Sequence, residues 1–312
     1  METPFVAIVG ATGTGKSALA LDLAEALAAR GRSAEIVNAD AMQLYRGMDV
    51  GTAKLPAHER RGIPHHLLDV LDPGDEASVA AYQREARATV AALQAAGTVP
   101  ILVGGSGLYV SSVIHEFDFP GSDPAVRARL EAELESEGLA ALVARLRAAD
   151  PAAAAAIDLQ NPRRVVRALE VLELAGTLVP GLPEDRAPWR PVSVIWLRLG
   201  REALVPRLDA RVLGMWQAGL LEEVARLRTA PGGLGRTARR AIGYAQALAQ
   251  LDGAMTEAEA IAETQSLTRR YARRQVSWFR RYRESPDHAF AGVDADAPHL
   301  LDLALRRTLG ED

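Results

Sequence analysis

The chain has 312 residues, 48% of them hydrophobic and 24% charged, with 36 Lys+Arg against 40 Asp+Glu; that is soluble globular usage, long enough for one large domain or two of ordinary size. It has no cysteine, which excludes disulfides and thiolate metal sites and makes a reducing, cytoplasmic setting the expectation. No apolar run reaches the length of a membrane span, the start "METPFVAIVG" has no basic leader, and the net charge of −4 argues against a nucleic-acid-coated surface while leaving room for a local basic patch.

Residues 5–9, "FVAIV", read as a buried strand. "GATGTGKS" at 10–17 follows, a phosphate-binding loop of the form Gly10-x4-Gly15-Lys16-Ser17. It leads into the helical periodicity of "SALALDLAEALAARG", which ends at Gly31. Its glycines let backbone N–H groups converge on an anion, the helix N-terminus adds partial positive charge, and the Ser17 hydroxyl can ligate Mg²⁺. Lys16 and Lys54 are the only lysines. Where arginine holds every other cationic position, a remaining lysine marks a place that a planar guanidinium cannot enter, and Lys16 fits that reading. For Lys54, chance placement on a surface loop is an equal expectation.

"AEIVNAD" (34–40) reads as a second strand with Asp40 at its carboxyl end, "YQREARATVAALQAAG" (82–97) as a helix, and "VPILVGG" (99–105) as a third buried strand. Apolar strands alternating with helices predict a P-loop-type α/β fold, a parallel sheet covered by helices. From Asp123 to Ala175 the pattern is helical throughout, then "PGLPEDRAPWRP" (180–191) forms a Pro-rich connection and "VSVIWLRL" (192–199) returns as a strand. The expectation is an inserted helical subdomain at 121–189 within a core made of 1–120 and 190–312. Near the end, "TRRYARRQVSWFRRYR" (268–283) has seven arginines and no acid. On a helix, Tyr271, Trp278 and Tyr282 share one face, expected to be core, and the arginines, Arg273 and Arg280 among them, flank it in solvent. Fixed arginines on a rigid helix suit a phosphate backbone such as RNA; the alternative is a solvated helix paired with acids.

The third strand ends in "GGSGLY" (104–109) with no acid for Mg²⁺, and no guanine-specifying Asn-Lys-x-Asp segment is present, so a hydrolytic motor or switch is disfavoured. Asp40, at the end of a neighbouring strand, is expected to face the phosphate loop across the crevice where open α/β sheets bind ligands. It suits a general base there, or simply a helix cap. The loop and Asp40 alone also fit a small-molecule kinase.

The ordered set "GATGTGKS", "DAMQLYRGMDVGTAK" (40–54), "IPHHLLD" (63–69), "GGSGLY", "NPRRVVRALE" (161–170), "RVLGMWQAGLLEEV" (211–224), "AIGY" (241–244) and "TRRYARRQVSWFRR" (268–281) resembles the tRNA dimethylallyltransferases, over roughly residues 5–283. The absence of cysteine excludes the zinc finger of eukaryotic members and implies the bacterial type. Three positions depart from the usual family pattern: Ala11 for Pro, Ala41 for Ser and Ser106 for Thr. The resemblance implies that the loop, an ATP site in other P-loop proteins, holds the diphosphate of dimethylallyl diphosphate. Gly10, Thr12, Gly13, Thr14, Gly15, Lys16 and Ser17 would form its cradle. It implies Asp40, Lys16, Ser106 and Arg211 as catalytic residues, with Asp40 taking the proton of the adenosine N6 next to the anticodon. The same resemblance implies tRNA contacts at Asp40, Ala41, Met42, Gln43, Ser106, Arg127, Gln160, Asn161, Pro162, Arg163 and Arg164. The tRNA anticodon stem-loop is the expected partner, with Mg²⁺ as cofactor and the protein as a monomer away from any membrane. Prenylation of free adenine nucleotides is the nearest alternative.

Overall fold

The structure, a computed structural model, describes residues 3–116, 119–176, 187–282 and 290–311. Residues 180–186, the first part of the Pro-rich connection, and the last arginine of the basic segment, Arg283, lie outside these ranges. The chain divides into two compact units, one made of residues 1–116 and 187–312, the other of 117–186.

The first unit is built on one six-stranded, all-parallel sheet. Its strands are β1 (Val6–Gly10), β2 (Ala34–Asn38), β3 (His65–His66), β4 (Val99–Gly104), β5 (Ser193–Arg198) and β6 (Ala291–Asp294), in the order β3-β2-β4-β1-β5-β6. The central strand β1 pairs Ile8 with Val103 of β4 on one side and with Ile195 of β5 on the other. Both faces of the sheet are covered, which is why the strands are apolar without a polar alternation. On one face Ala7, Val9, Val37, Leu102 and Trp196 pack on α2 (Val79–Ala95) and α3 (Gly107–Ile114). On the other, Val6, Ile8, Ile101 and Ile195 pack on α1 (Lys16–Ala28) and α12 (Leu300–Leu309). The edge strands β3 and β6 and the helix α3 are not among the elements read from the sequence. Each edge strand is short, and tertiary pairing creates it: Ile36 with His65 at one edge, Ile195 with Ala291 at the other.

After β5 come α7 (Arg201–Gln217), α8 (Leu220–Thr229), α9 (Arg236–Arg239), α10 (Tyr244–Leu251) and α11 (Glu257–Phe279). Helices α8 to α10 form a separate core around Tyr45 and Met48. This core clamps the segment that follows Asp40. Helix α11 begins at a capping box, in which the Thr256 hydroxyl accepts the Glu259 N–H and the Glu259 carboxylate accepts the Thr256 N–H. It starts well before the arginine cluster that marks it in the sequence.

The second unit is helical. It contains α4 (Pro124–Ala149), which breaks at Gly138, α5 (Pro151–Ala156) and α6 (Pro162–Ala175), packed through Leu130, Leu142, Leu146, Val165 and Leu169. Its helices open on Asp or Asn caps followed by Pro: Asp123–Pro124, Asp150–Pro151 and Asn161–Pro162. In the first unit, the two chain segments that flank this insertion meet. His115 bridges Pro188, and the Glu116 N–H donates to the Ala187 carbonyl at 2.9 Å.

Candidate active site

The phosphate loop leaves the carboxyl end of β1, the middle of the sheet, and turns into α1. The turn requires positive φ at Gly13 (83°) and Gly15 (85°), open to glycine without the Cβ penalty. The loop is braced from inside: Thr14 Oγ1 and Lys16 Nζ both donate to the Ala11 carbonyl, at 2.9 and 2.7 Å. It is braced from outside by Gln275 of α11, whose Oε1 accepts the Thr12 N–H at 2.9 Å. Gly10 and Thr14 act as supports and do not line the crevice; a Cβ on Gly10 would sit 2.5 Å from the Leu197 carbonyl oxygen.

The crevice is a cavity of about 280 Å³. Thr12, Gly13, Gly15, Lys16, Ser17, Asp40, Gln43, Arg211 and Gln275 form its polar wall, and Ile36, Leu55, Leu68 and Val103 an apolar one. Asp40 therefore lies in one cavity with Lys16 and Arg211. Its Oδ1 also accepts the Met42 N–H at 3.0 Å, capping the 3₁₀ turn Ala41–Leu44. The cap reading and the base reading thus describe the same residue. Burial draws the Lys16 ammonium down to a pKa of about 8, against the attraction of Asp40. Burial likewise lowers the Arg211 guanidinium, again opposed by Asp40. Both cations are partly withdrawn from water, which strengthens their pull on an anion. Arg211 is aimed by a bond from Nη2 to the Thr52 carbonyl at 3.3 Å, and Gln43 Nε2 donates to the same carbonyl at 3.2 Å.

Ser106 stands at the carboxyl end of β4. The strands approach closely here: a Cβ on Gly104 would lie 2.2 Å from the Ala39 carbonyl oxygen. Ser106 Oγ accepts the Ala41 N–H at 3.1 Å, so the backbone at Ala41 is engaged although its side chain has no hydroxyl. The phenol of Tyr271 lies close enough to Ser106 and Asp40 to feel both, and this corrects one sequence expectation. Trp278 and Tyr282 pack against the core as anticipated. Tyr271 instead turns to the site, where burial pushes its phenol up to about 12, with Asp40 adding to the rise. Gln275, one helical turn on, is buried and also donates from Nε2 to the Gly105 carbonyl at 2.8 Å. Tyr271 and Gln275 were missed as site residues. Their i, i+4 spacing on an otherwise basic helix was the available signal.

For Lys54 the structure decides between the two readings. It is 7% exposed, and its Nζ donates to the Tyr45 carbonyl (2.8 Å), Asp49 (2.8 Å) and Asp69 (2.6 Å). Three acceptors converging on one ammonium make it a structural tie, not a surface accident.

Among the arginines of α11 and the turn after it, Arg269 pairs with Asp209 at 2.6 Å. Arg274 and Arg281 lie over the rings of Tyr271 and Trp278, at 5.9 and 5.8 Å. Arg273 and Arg280 are exposed and make no ion pair with a described residue. The other residues implied as tRNA contacts sit in the helical unit. Arg127 pairs with the buried Glu170, which Arg167 also holds; burial alone would raise that carboxyl, yet the two guanidiniums keep it below its usual range. Asn161 caps α6 by accepting the Arg163 N–H at 3.1 Å, while Gln160, Pro162, Arg163 and Arg164 are exposed.

A family model described as IPP transferase matches residues 43–282. A curated relative from Clavibacter sepedonicus, named tRNA dimethylallyltransferase, is 60% identical over 303 residues, 97% of each chain. The chain belongs to the tRNA dimethylallyltransferase family. A second relative of that name, from Thermobifida fusca, is 53% identical over 96% of this chain and 92% of its own. Among solved structures, the tRNA isopentenylpyrophosphate transferase of Bacillus halodurans is 36% identical with a TM-score of 0.70, covering 99% of this chain and 98% of its own. A eukaryotic dimethylallyltransferase acting on tRNA superimposes with a TM-score of 0.75 at 26% identity, over 98% of this chain and 77% of its own. For a dimethylallyltransferase the acid-free end of β4 makes chemical sense, since no γ-phosphate has to be cut.

Proposed function

We propose that this member of the family transfers the dimethylallyl group of dimethylallyl diphosphate to N6 of the adenosine 3′ of the anticodon in tRNA. The observation that carries the reading is the pairing, in one cavity, of the phosphate loop after β1 with a carboxylate, Asp40, just past the end of β2. Strand β2 is not the neighbour of β1 that the sequence led us to expect, but lies beyond β4. The N6 lone pair attacks C1 of the prenyl group as the C1–O bond breaks. The bonding pair leaves with diphosphate, and the N6 proton passes to Asp40. Lys16 and Arg211 stabilise the charge that grows on the departing oxygens. The apolar wall of Ile36, Leu55, Leu68 and Val103 suits the prenyl chain. Ser106, with Tyr271 behind it, suits the acceptor base, which must be extruded from its stack to reach such a cavity.

The donor set fits Mg²⁺. No group of three or more His, Cys, Asp or Glu stands together among the described residues, and Mg²⁺ typically takes one or two protein oxygens plus phosphates and water. Ser17, which lines the cavity, would hold the ion, and the ion would supply charge neutralisation on the diphosphate. The exposed arginines of α11 and the helical unit would grip the anticodon stem-loop. The chain would act as a monomer in the cytoplasm; no helix among the described residues is long and apolar enough to cross a membrane.

The test is to mix the protein with Mg²⁺, unmodified tRNA and dimethylallyl diphosphate, without ATP. Diphosphate and prenylated adenosine should appear one for one, EDTA should slow the reaction sharply, and AMP should be a poor substitute for tRNA. A strict ATP requirement with ADP release would restore the kinase reading. Efficient turnover of AMP would favour the free-nucleotide enzyme.

A further inference from the structure

Outside the cavity, one carboxylate is more completely committed than any group in it. Glu223, on α8, is 2% exposed. Its Oε2 accepts the N–H groups of Asp49 (3.0 Å) and Val50 (2.8 Å), and its Oε1 accepts the Gly51 N–H (3.2 Å) and the Tyr244 hydroxyl (2.5 Å). Burial, with the Glu223 carboxylate beside it, raises the Tyr244 phenol above its ordinary range, so the tyrosine keeps its proton and donates it. Four donors on one buried anion, three of them consecutive amides, hold a backbone turn in a single conformation.

What that turn presents is the Thr52 carbonyl, the next residue along. It accepts both Gln43 Nε2 and Arg211 Nη2, the two bonds that orient these side chains in the cavity wall. Ala53, which follows and also lines the cavity, has a positive φ of 47°, a conformation that an alanine keeps only where its surroundings impose it. Lys54 closes the turn from the far side through Asp49.

We propose that Glu223 is a positioning residue for the transfer: it fixes the 49–51 turn, and through the Thr52 carbonyl it sets Arg211 against the diphosphate. The inference rests on the functional reading above. Glu223→Gln replaces one acceptor oxygen by an NH₂ that faces donors, so the turn should let go. In Mg²⁺ buffer, titration calorimetry with inorganic diphosphate should show affinity reduced about tenfold, and single-turnover prenylation should slow by a similar factor. Positioning through Arg211 makes these losses non-additive: in an Arg211→Gln background, Glu223→Gln should cost less than twofold further. A purely structural role predicts the same factor in both backgrounds, and that result would overturn the proposal, as would unchanged diphosphate affinity. Should Glu223→Gln fail to fold, Tyr244→Phe removes a single donor. It should give a smaller loss, of about threefold, which again disappears in the Arg211→Gln background; an additive loss would count against the proposal. Wild-type protein that makes no prenylated adenosine would refute the functional reading instead, and the diphosphate titrations read the positioning of Arg211 independently of turnover.

Discussion

Asp40 spends one carboxylate oxygen on the Met42 N–H and lies in the cavity wall. Asp40→Asn keeps the cap acceptor and the size but cannot take a proton. Single-turnover prenylation should fall by about a hundredfold or more with tRNA affinity kept; near-wild-type chemistry would remove Asp40 from the role of base. Lys16 makes a second prediction, through its sign. With a pKa of about 8, its ammonium is complete well below that pH and is lost as the pH rises through it. Affinity for inorganic diphosphate should therefore decline above about pH 8 relative to Lys16→Ala, whose profile reflects only the ligand's own titration. Lys16→Arg should bind nearly as poorly as the alanine variant, because the fork does not enter the loop. The phosphate loop and Asp40 were legible in the sequence because each depends on chain-local geometry, a glycine pattern or a strand end. Tyr271 and Gln275 were not, because only the packing of α11 against the loops after β1 and β4 turns an ordinary helical face into a cavity wall.

At the scale of the element, α11 serves two sides. Of its inward positions, Tyr271 faces Ser106 and Asp40 and Gln275 bonds Thr12 and Gly105, and its outward positions carry arginines. Gln275→Leu keeps the bulk but leaves the Thr12 N–H and the Gly105 carbonyl without partners. We expect a stability loss of about 1–3 kcal/mol, read by denaturant titration, together with a higher KM for dimethylallyl diphosphate. Neutralising Arg273 and Arg280 should do the reverse. Stability and diphosphate affinity should hold, while tRNA binding weakens and the slope of log K against log salt flattens by up to about one for each phosphate that is no longer neutralised. An unchanged slope would mean that these arginines do not meet phosphate. The helix itself was readable from its arginines and aromatic spacing, yet its first three turns were not, since the capping box at Thr256 lies in a stretch with no such signature.

At the scale of the molecule, the central strands were legible because a fully buried parallel strand announces itself as an apolar run. The edge strands were invisible because two to four residues carry no period. The hydrogen bond between Glu116 and Ala187 makes the core nearly continuous without the helical unit. A variant in which a short Gly-Ser linker replaces residues 117–186 should unfold in one cooperative transition and bind inorganic diphosphate as the full chain does. It should have little tRNA affinity left if the helical unit grips the stem-loop. Failure to fold would show that the insertion is integral to the core. The same topology sets a timetable during synthesis. β1 sits between β4 and β5, so a ribosome delivers one neighbour before the insertion and the other after it. At about 5–20 residues per second, the stretch from 117 to 192 takes roughly 4–15 seconds to make. For that interval the nascent sheet presents the unpaired edge of its most apolar strand, a surface that other chains can pair with. Translation speed across the helical insertion is thus tied to the yield of folded protein, and slowing it there should increase aggregation of the nascent chain.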